Sequence, residues 1–421
     1  MTDYQEYMNS LLEQIENHHA KVLVKREFQN HIEEQKEAYQ SEGMPEDEAL
    51  QEAVRQMGNP VDTGVQLNKL HRPKFPGKLL GVSAMLTAAG IFVQLLIYFK
   101  MRGSEDVISM INIPFRTVVY NLIGFAVMAC LIFIDYSFWG RYAYCLYIGY
   151  LMLTAVPWIL DNIFSIVVTV NSDYGMTYFI TALFPLVLAG LIYRNRGYGT
   201  AGFMRCMLLT AVVLIINKLV LQHGISRIIE TTVICTALLV AAAARGIFDS
   251  KRKHLGLICT GIAGVFAIGA AFFLLTAPES PRSGIDLVSD YIAASLFSCL
   301  GILAGTAVLA ALVIFAIYTL RVSLRQSNRL GMLLGCAASI SLLVRTALLT
   351  AGNLGFGWSI TTSVPFLMYG LRNAVLNAVF VGILLSVYRS STILPEIDSA
   401  EKNTEKIHRF GHYQITVRRV R

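Results

Sequence analysis

Charge is what this sequence has least of. Asp, Glu, Lys and Arg make up 15% of its 421 residues, where soluble domains carry about a quarter. The shortage is uneven: residues 1–78, 79–388 and 389–421 carry net charges of −5, +9 and +3, and the 310 residues of the middle segment hold only 29 charged side chains. With 55% hydrophobic residues, this excludes an ordinary single-core globular protein, a disordered chain and a collagen-like one. Clustered cysteine is also lacking. The seven cysteines lie singly in or beside apolar runs with no CxxC pair, which excludes a disulfide framework or a zinc ribbon. His18, His19 and His31 have no HExxH or Cys/His spacing around them and read as solvated helix positions. No secretory signal is visible either, since the first long apolar stretch begins near Leu79. Residues 1–78 are therefore expected to stay in the cytoplasm.

What the sequence has is a series of apolar runs near the length, about 20 residues, that crosses a bilayer as a helix. Ten are expected: Leu79–Tyr98, Val118–Ile134, Tyr142–Leu160, Tyr178–Tyr193, Cys206–Leu221, Ile228–Ala244, Leu255–Ala277, Ile292–Leu320, Leu330–Thr350 and Ser363–Tyr388. With the N-terminus inside, the short inner loops hold 11 Lys/Arg and the outer loops five. That bias predicts a multi-pass membrane protein with both termini cytoplasmic. The expected fold class is all-α, with a small cytoplasmic helical domain over 1–76, a ten-helix membrane domain over 77–389 and a basic tail over 390–421. The glycine pairs Gly301/Gly305 and Gly331/Gly335 have the four-residue spacing that allows close helix approach.

The N-terminal domain reads as four helices. Tyr7, Leu11 and Ile15 form the first apolar stripe, and Phe28, Ile32 and Tyr39 the second. Pro45 with Glu46, Asp47 and Glu48 opens the third, lined by Ala49, Ala53 and Met57. Asn59-Pro60 opens the fourth, whose apolar side is expected to include Val61, Val65 and Leu70.

Ionisable groups within spans cost at least a few kcal/mol, so each needs a partner or a purpose. Lys218 and Glu230 should lie at similar depth and are read as a structural ion pair. Toward the outer side of the last spans stand Asp290, Arg345, Arg372, Asn373 and Asn377. If their helices are neighbours, one acid and two guanidinium groups converge, a set suited to a diphosphate and a general base. The other reading pairs Arg345 with Asp290 or with backbone carbonyls.

Two resemblances follow from residues already named. His31-Ile32, Gly43-Met44, Glu48-Ala49, Met57-Gly58-Asn59-Pro60 and His71-Arg72-Pro73 resemble the permease prefix (HAAS-like) domain, which implies a cytoplasmic regulatory or interaction module. Ser289-Asp290-Tyr291-Ile292 followed by Leu300-Gly301-Ile302 looks like the "TDFIFA…ELG" stretch of the FtsW/RodA/SpoVE (SEDS) family. Val364-Pro365-Phe366-Leu367-Met368-Tyr369-Gly370 is similar to that family's "LPFxSYGG", and Gly382 to Arg389 to its "GLLLSxxR". The family implies a role in peptidoglycan assembly during cell division or shape maintenance. It also implies glycosyl transfer from lipid II, a disaccharide-peptide on undecaprenyl diphosphate, beside a class B penicillin-binding protein. On the matching positions Asp290 would be the general base. Arg345, Arg372, Tyr369 and Asn373 are the candidate substrate-binding residues, the arginines by their charge.

The pattern departs from the family at Ser298-Cys299 and at Leu371-Arg372-Asn373, where the motif has acids and Gly-Ser-Ser. A catalytically inactive relative acting as a lipid II-binding scaffold or sensor is therefore the alternative, and a transporter or flippase the third. No cofactor is expected, with only a divalent cation left open. The basic tail suits an anionic membrane surface, and no motif supports nucleic-acid binding.

Overall fold

The computed structural model describes residues 2–16, 18–70, 75–101, 112–162, 176–219, 225–248, 292–326, 328–354, 364–390, 406–410 and 413–417. Its contacts divide the chain into two units, Met1–Arg72 with Thr392–Arg421, and Pro73–Ser391. Both are built of helices, apart from an antiparallel hairpin in the tail, β1 (Lys406–Phe410) on β2 (Tyr413–Val417).

The N-terminal helices are α1 (Thr2–Glu13), α2 (His18–Ser41), α3 (Glu46–Gln56) and α4 (Pro60–Leu70). Tyr7, Leu11, Ile15, Ile32, Ala49 and Ala53 are buried as their spacing predicts, and Phe28 and Tyr39 pack against the same core. The fourth helix turns differently. Val61 and Val65 are exposed, and α4 faces inward with Gly64 and Leu67 instead. The reason is close approach: a Cβ at Gly64 would stand 2.7 Å from the Leu11 carbonyl oxygen, so only glycine lets α4 lie on α1.

The second unit holds α5 (Gly77–Met101), α6 (Ile113–Leu131), α7 (Ser137–Arg141), α8 (Ala143–Asn162), α9 (Met176–Ala182), α10 (Phe184–Arg194), α11 (Gly199–Leu219), α12 (Ile225–Ala244), α13 (Ile292–Leu324), α14 (Arg329–Asn353) and α15 (Leu371–Arg389). Seven of these are long and apolar enough to cross a membrane, and the described parts of α8 and α10 are shorter apolar helices. Eight of the ten expected spans thus overlap a single described helix and the fourth overlaps two; the seventh, Leu255–Ala277, lies outside the described residues. The centre of the bundle is α14, packed against α10, α12, α13 and α15. Asn328 caps it by accepting from the Leu330 and Gly331 amides.

Three expected spans are not continuous helices. The fourth is split between α9 and α10 at Leu183, because Pro185 at the start of α10 has no N–H to donate. The eighth bends within α13 at Gly301, which adopts a φ of 81°. A Cβ at Gly301 would meet nothing, so this glycine supplies a bend rather than a packing surface. Its expected companion Gly305 makes room for the Phe297 ring folded back from the same helix. Gly331 and Gly335 do serve close packing, against Tyr136 and Ser323. The tenth span starts with a non-helical turn over residues 364–370, in which Phe366 has a φ of 65° and Gly370 one of 117°.

That turn is wedged against α5 at Gly90, where any Cβ would overlap the Phe366 carbonyl oxygen. Gly90→Val is expected to destabilise the protein by at least the ~1–3 kcal/mol typical of overpacking. Gly149→Val, at a helix position facing open space, should change far less. Unfolding midpoints of the two detergent-solubilised variants check this.

Candidate functional site

The break after α9 creates the first element of the site. In an unbroken helix the Leu186 amide would bond to the Ala182 carbonyl. Here it bonds to Leu183 O at 3.0 Å, and Ala182 O accepts instead from Arg345 Nη2 at 2.9 Å. The Arg345 Nε donates to Glu230 Oε1 at 2.7 Å. Side-chain exposure is 1% for Arg345 and 5% for Glu230, so both charges are out of water. The guanidinium also lies 4.8 Å from the Phe380 ring centroid on α15. One side chain on α14 therefore ties together α9, α12 and α15. The Lys218 side chain expected to pair with Glu230 lies outside the described atoms; the partner that the structure shows for Glu230 is Arg345.

Four residues before Ala182, Tyr178 of α9 carries two guanidinium groups. Arg227 of α12 sits 4.5 Å from its ring centroid and Arg372 of α15 sits 5.2 Å away. Tyr178 and Arg227 are buried, and Arg372 is partly so. Arg345 thus meets the Glu230 carboxylate, while Arg227 and Arg372 share the Tyr178 ring on helices that the ion pair also joins. Planar guanidinium groups match phosphate oxygens, so two of them at one ring are chemically suited to an anion.

The third element is the 364–370 turn. Irregular backbone at membrane depth must have its carbonyls satisfied from within the protein. Three carboxamides do this: Gln94 Nε2 donates to Phe366 O (3.4 Å), Asn377 Nδ2 to Val364 O (3.2 Å) and Asn373 Nδ2 to Tyr369 O (2.9 Å). Because each NH2 faces a carbonyl, the amide orientation is set by the network. The three side-chain oxygens face away, buried and without a hydrogen-bond partner among the described residues. They are acceptors for a donor such as a sugar hydroxyl or water. Tyr369 packs against the Tyr120 ring at 5.9 Å and against Tyr98 and Ile113.

Of the residues expected at the site, Arg345 and Arg372 both reach α9, at Ala182 and Tyr178, and Asn373 donates to the Tyr369 carbonyl. Asp290 lies outside the described residues. It precedes by two positions the start of α13, whose Ala293 and Ala294 amides are capped by Asn353 at 3.1 Å. The sequence reading missed Arg227 and Gln94, and it assigned Glu230 to another partner. The spacing of Arg227 and Glu230, three apart on one helix face, was the available signal. Among the described residues no three His, Cys, Asp or Glu side chains come together as a metal site.

No family model matches the chain, and no curated protein matches it. Its fold does have a counterpart. A chain from a structure of a peptidoglycan synthase complex, in which polymerization and crosslinking are coordinated, is similar with a TM-score of 0.54 at 16% identity. The similarity covers 75% of this chain and 98% of that one. The membrane unit is thus a polytopic all-α fold shared with a component of that complex.

The Arg345–Glu230 pair predicts a non-additive mutational pattern. Arg345→Met or Glu230→Leu alone should cost about 3–5 kcal/mol by leaving one charge buried and uncompensated, whereas the double variant should recover most of it. Denaturation of the solubilised proteins measures the cycle.

Proposed function

We propose that this chain is a SEDS-like membrane protein of peptidoglycan assembly that takes lipid II as substrate. The observation that carries the reading is the fold shared with a chain of a peptidoglycan synthase complex, joined to the arginine cluster at the Tyr178 ring. In this reading Arg372 and Arg227 hold the diphosphate of the undecaprenyl-linked donor, and Asn373 and Tyr369 border the sugar. Asp290 takes the proton from the acceptor hydroxyl as that oxygen attacks the anomeric carbon. The carbon–oxygen bond to the lipid diphosphate breaks, and the diphosphate leaves with its negative charge stabilised by the guanidinium groups. Arg345 has a positioning role, since its Nε and Nη2 are taken by Glu230 and Ala182 O, with Nη1 buried and unmet among the described residues. A class B penicillin-binding protein is the partner that this reading expects, with the N-terminal helices as a cytoplasmic permease-prefix module.

The substitutions at Leu371-Arg372-Asn373 favour a second reading, a relative that binds lipid II without polymerising it. The two separate in one experiment: purified protein with labelled lipid II, alone and with its penicillin-binding partner, comparing wild type with Asp290→Asn. Polymer from wild type and at least a hundredfold less from the variant, with lipid II bound by both, is the expected outcome. Binding without polymer in either protein would transfer the assignment to the silent scaffold.

A further inference from the structure

The opposite end of the bundle, where the loop charges place the cytoplasm, has an opening of its own. A cavity of about 400 Å³ is lined by Arg141, Tyr142, Tyr144, Cys145, Arg194, Asn195, Tyr198 and Arg205. Three guanidinium groups and three phenols border it, and no carboxylate does among the described residues. The lining is organised. Arg194 is fixed by donating from Nε to Gly140 O at 2.9 Å and from Nη2 to Arg141 O at 2.6 Å. Asn195 Nδ2 donates to the Tyr144 hydroxyl at 2.9 Å, which leaves that O–H as a donor. Arg205 lies over the Tyr198 ring, 5.5 Å from its centroid.

The faces that reach this cavity run on into apolar surface. On α8, Tyr144 is followed at four-residue steps by Ile148 and Met152, and on α11 Arg205 is followed by Leu208. Ile148, Met152 and Leu208 are 56%, 64% and 66% exposed. A cationic, phenol-rimmed opening whose walls continue as apolar helix surface along the span direction matches a molecule with an anionic head and apolar tails. We infer that this cavity is a binding site for the headgroup of an anionic phospholipid of the cytoplasmic leaflet. The phosphodiester meets Arg141 and Arg205, and the acyl chains lie along α8 and α11. Basic pockets between spans on the cytoplasmic side are physically suited to such headgroups, each arginine contributing attraction to an anionic surface. The aromatic rims fit the headgroup level.

The test uses the purified full-length protein in mild detergent. Native mass spectrometry follows its titration with phosphatidylglycerol and with phosphatidylcholine of the same acyl chains. Phosphatidylglycerol should bind with clear preference, and Arg141→Gln with Arg205→Gln should weaken it on the order of tenfold. Both side chains are exposed, so the pair of substitutions leaves the packing in place. Arg321→Gln with Arg325→Gln removes the same charge from two other exposed arginines and should change binding less than about twofold. Equal binding of phosphatidylcholine, or equal losses in the two double variants, would overturn the inference. So would inorganic phosphate binding as tightly as the lipid, which would mark a soluble-anion site.

Discussion

The membrane unit depends on an arginine that has no water around it. Arg345 reaches from the central helix to the Glu230 carboxylate, to the carbonyl freed by the α9–α10 break and to the Phe380 ring. Burying either charge alone would cost several kcal/mol; burying both in contact makes the cost tolerable while fixing which helices are neighbours. The helices that carry Tyr178, Arg227 and Arg372 are the same ones that this pair joins. The ion pair therefore fixes the helices that bring Arg227 and Arg372 to the Tyr178 ring.

A common rule accounts for several other polar residues in the spans. Among the described residues, three irregular stretches of backbone are each met by a side chain that would be out of place in a uniform apolar helix. Lys100 donates to the Ser298 and Cys299 carbonyls, at 3.3 and 2.8 Å, where α13 bends at Gly301. Gln94, Asn373 and Asn377 serve the 364–370 turn, and Arg345 serves the break at Leu183. Irregular backbone survives at membrane depth only where the protein itself supplies such partners. The three carboxamides that relieve the backbone keep their own oxygens buried, without a hydrogen-bond partner among the described residues.

How much of this was readable beforehand follows from the physics of each feature. Apolar runs of bilayer length identify themselves, and nine of them overlap described helices. The N-terminal stripes through Leu11, Ile15 and Ile32 were legible because spacing alone places them on one face. The inward turn of α4 was not, because it depends on Gly64 meeting the Leu11 backbone, a contact between helices. The bend at Gly301 was hidden because glycine is common in apolar spans, whereas Pro185 was a readable signal for the split at Leu183. Arg345 and Arg372 stood out as charges in apolar surroundings, while the Tyr178 ring that gathers Arg227 with Arg372 carries no such signal.

The central claim is that guanidinium groups at the Tyr178 ring recognise a lipid-linked diphosphate. Its most direct test is equilibrium binding of undecaprenyl diphosphate to the full-length protein in detergent. Wild type is compared with Arg227→Gln/Arg372→Gln, after unfolding midpoints show both to be folded. The account predicts a loss of affinity of about tenfold or more, since hydrogen bonds to charged groups contribute roughly 1.5–3 kcal/mol each. Unchanged affinity in a folded double variant would contradict it.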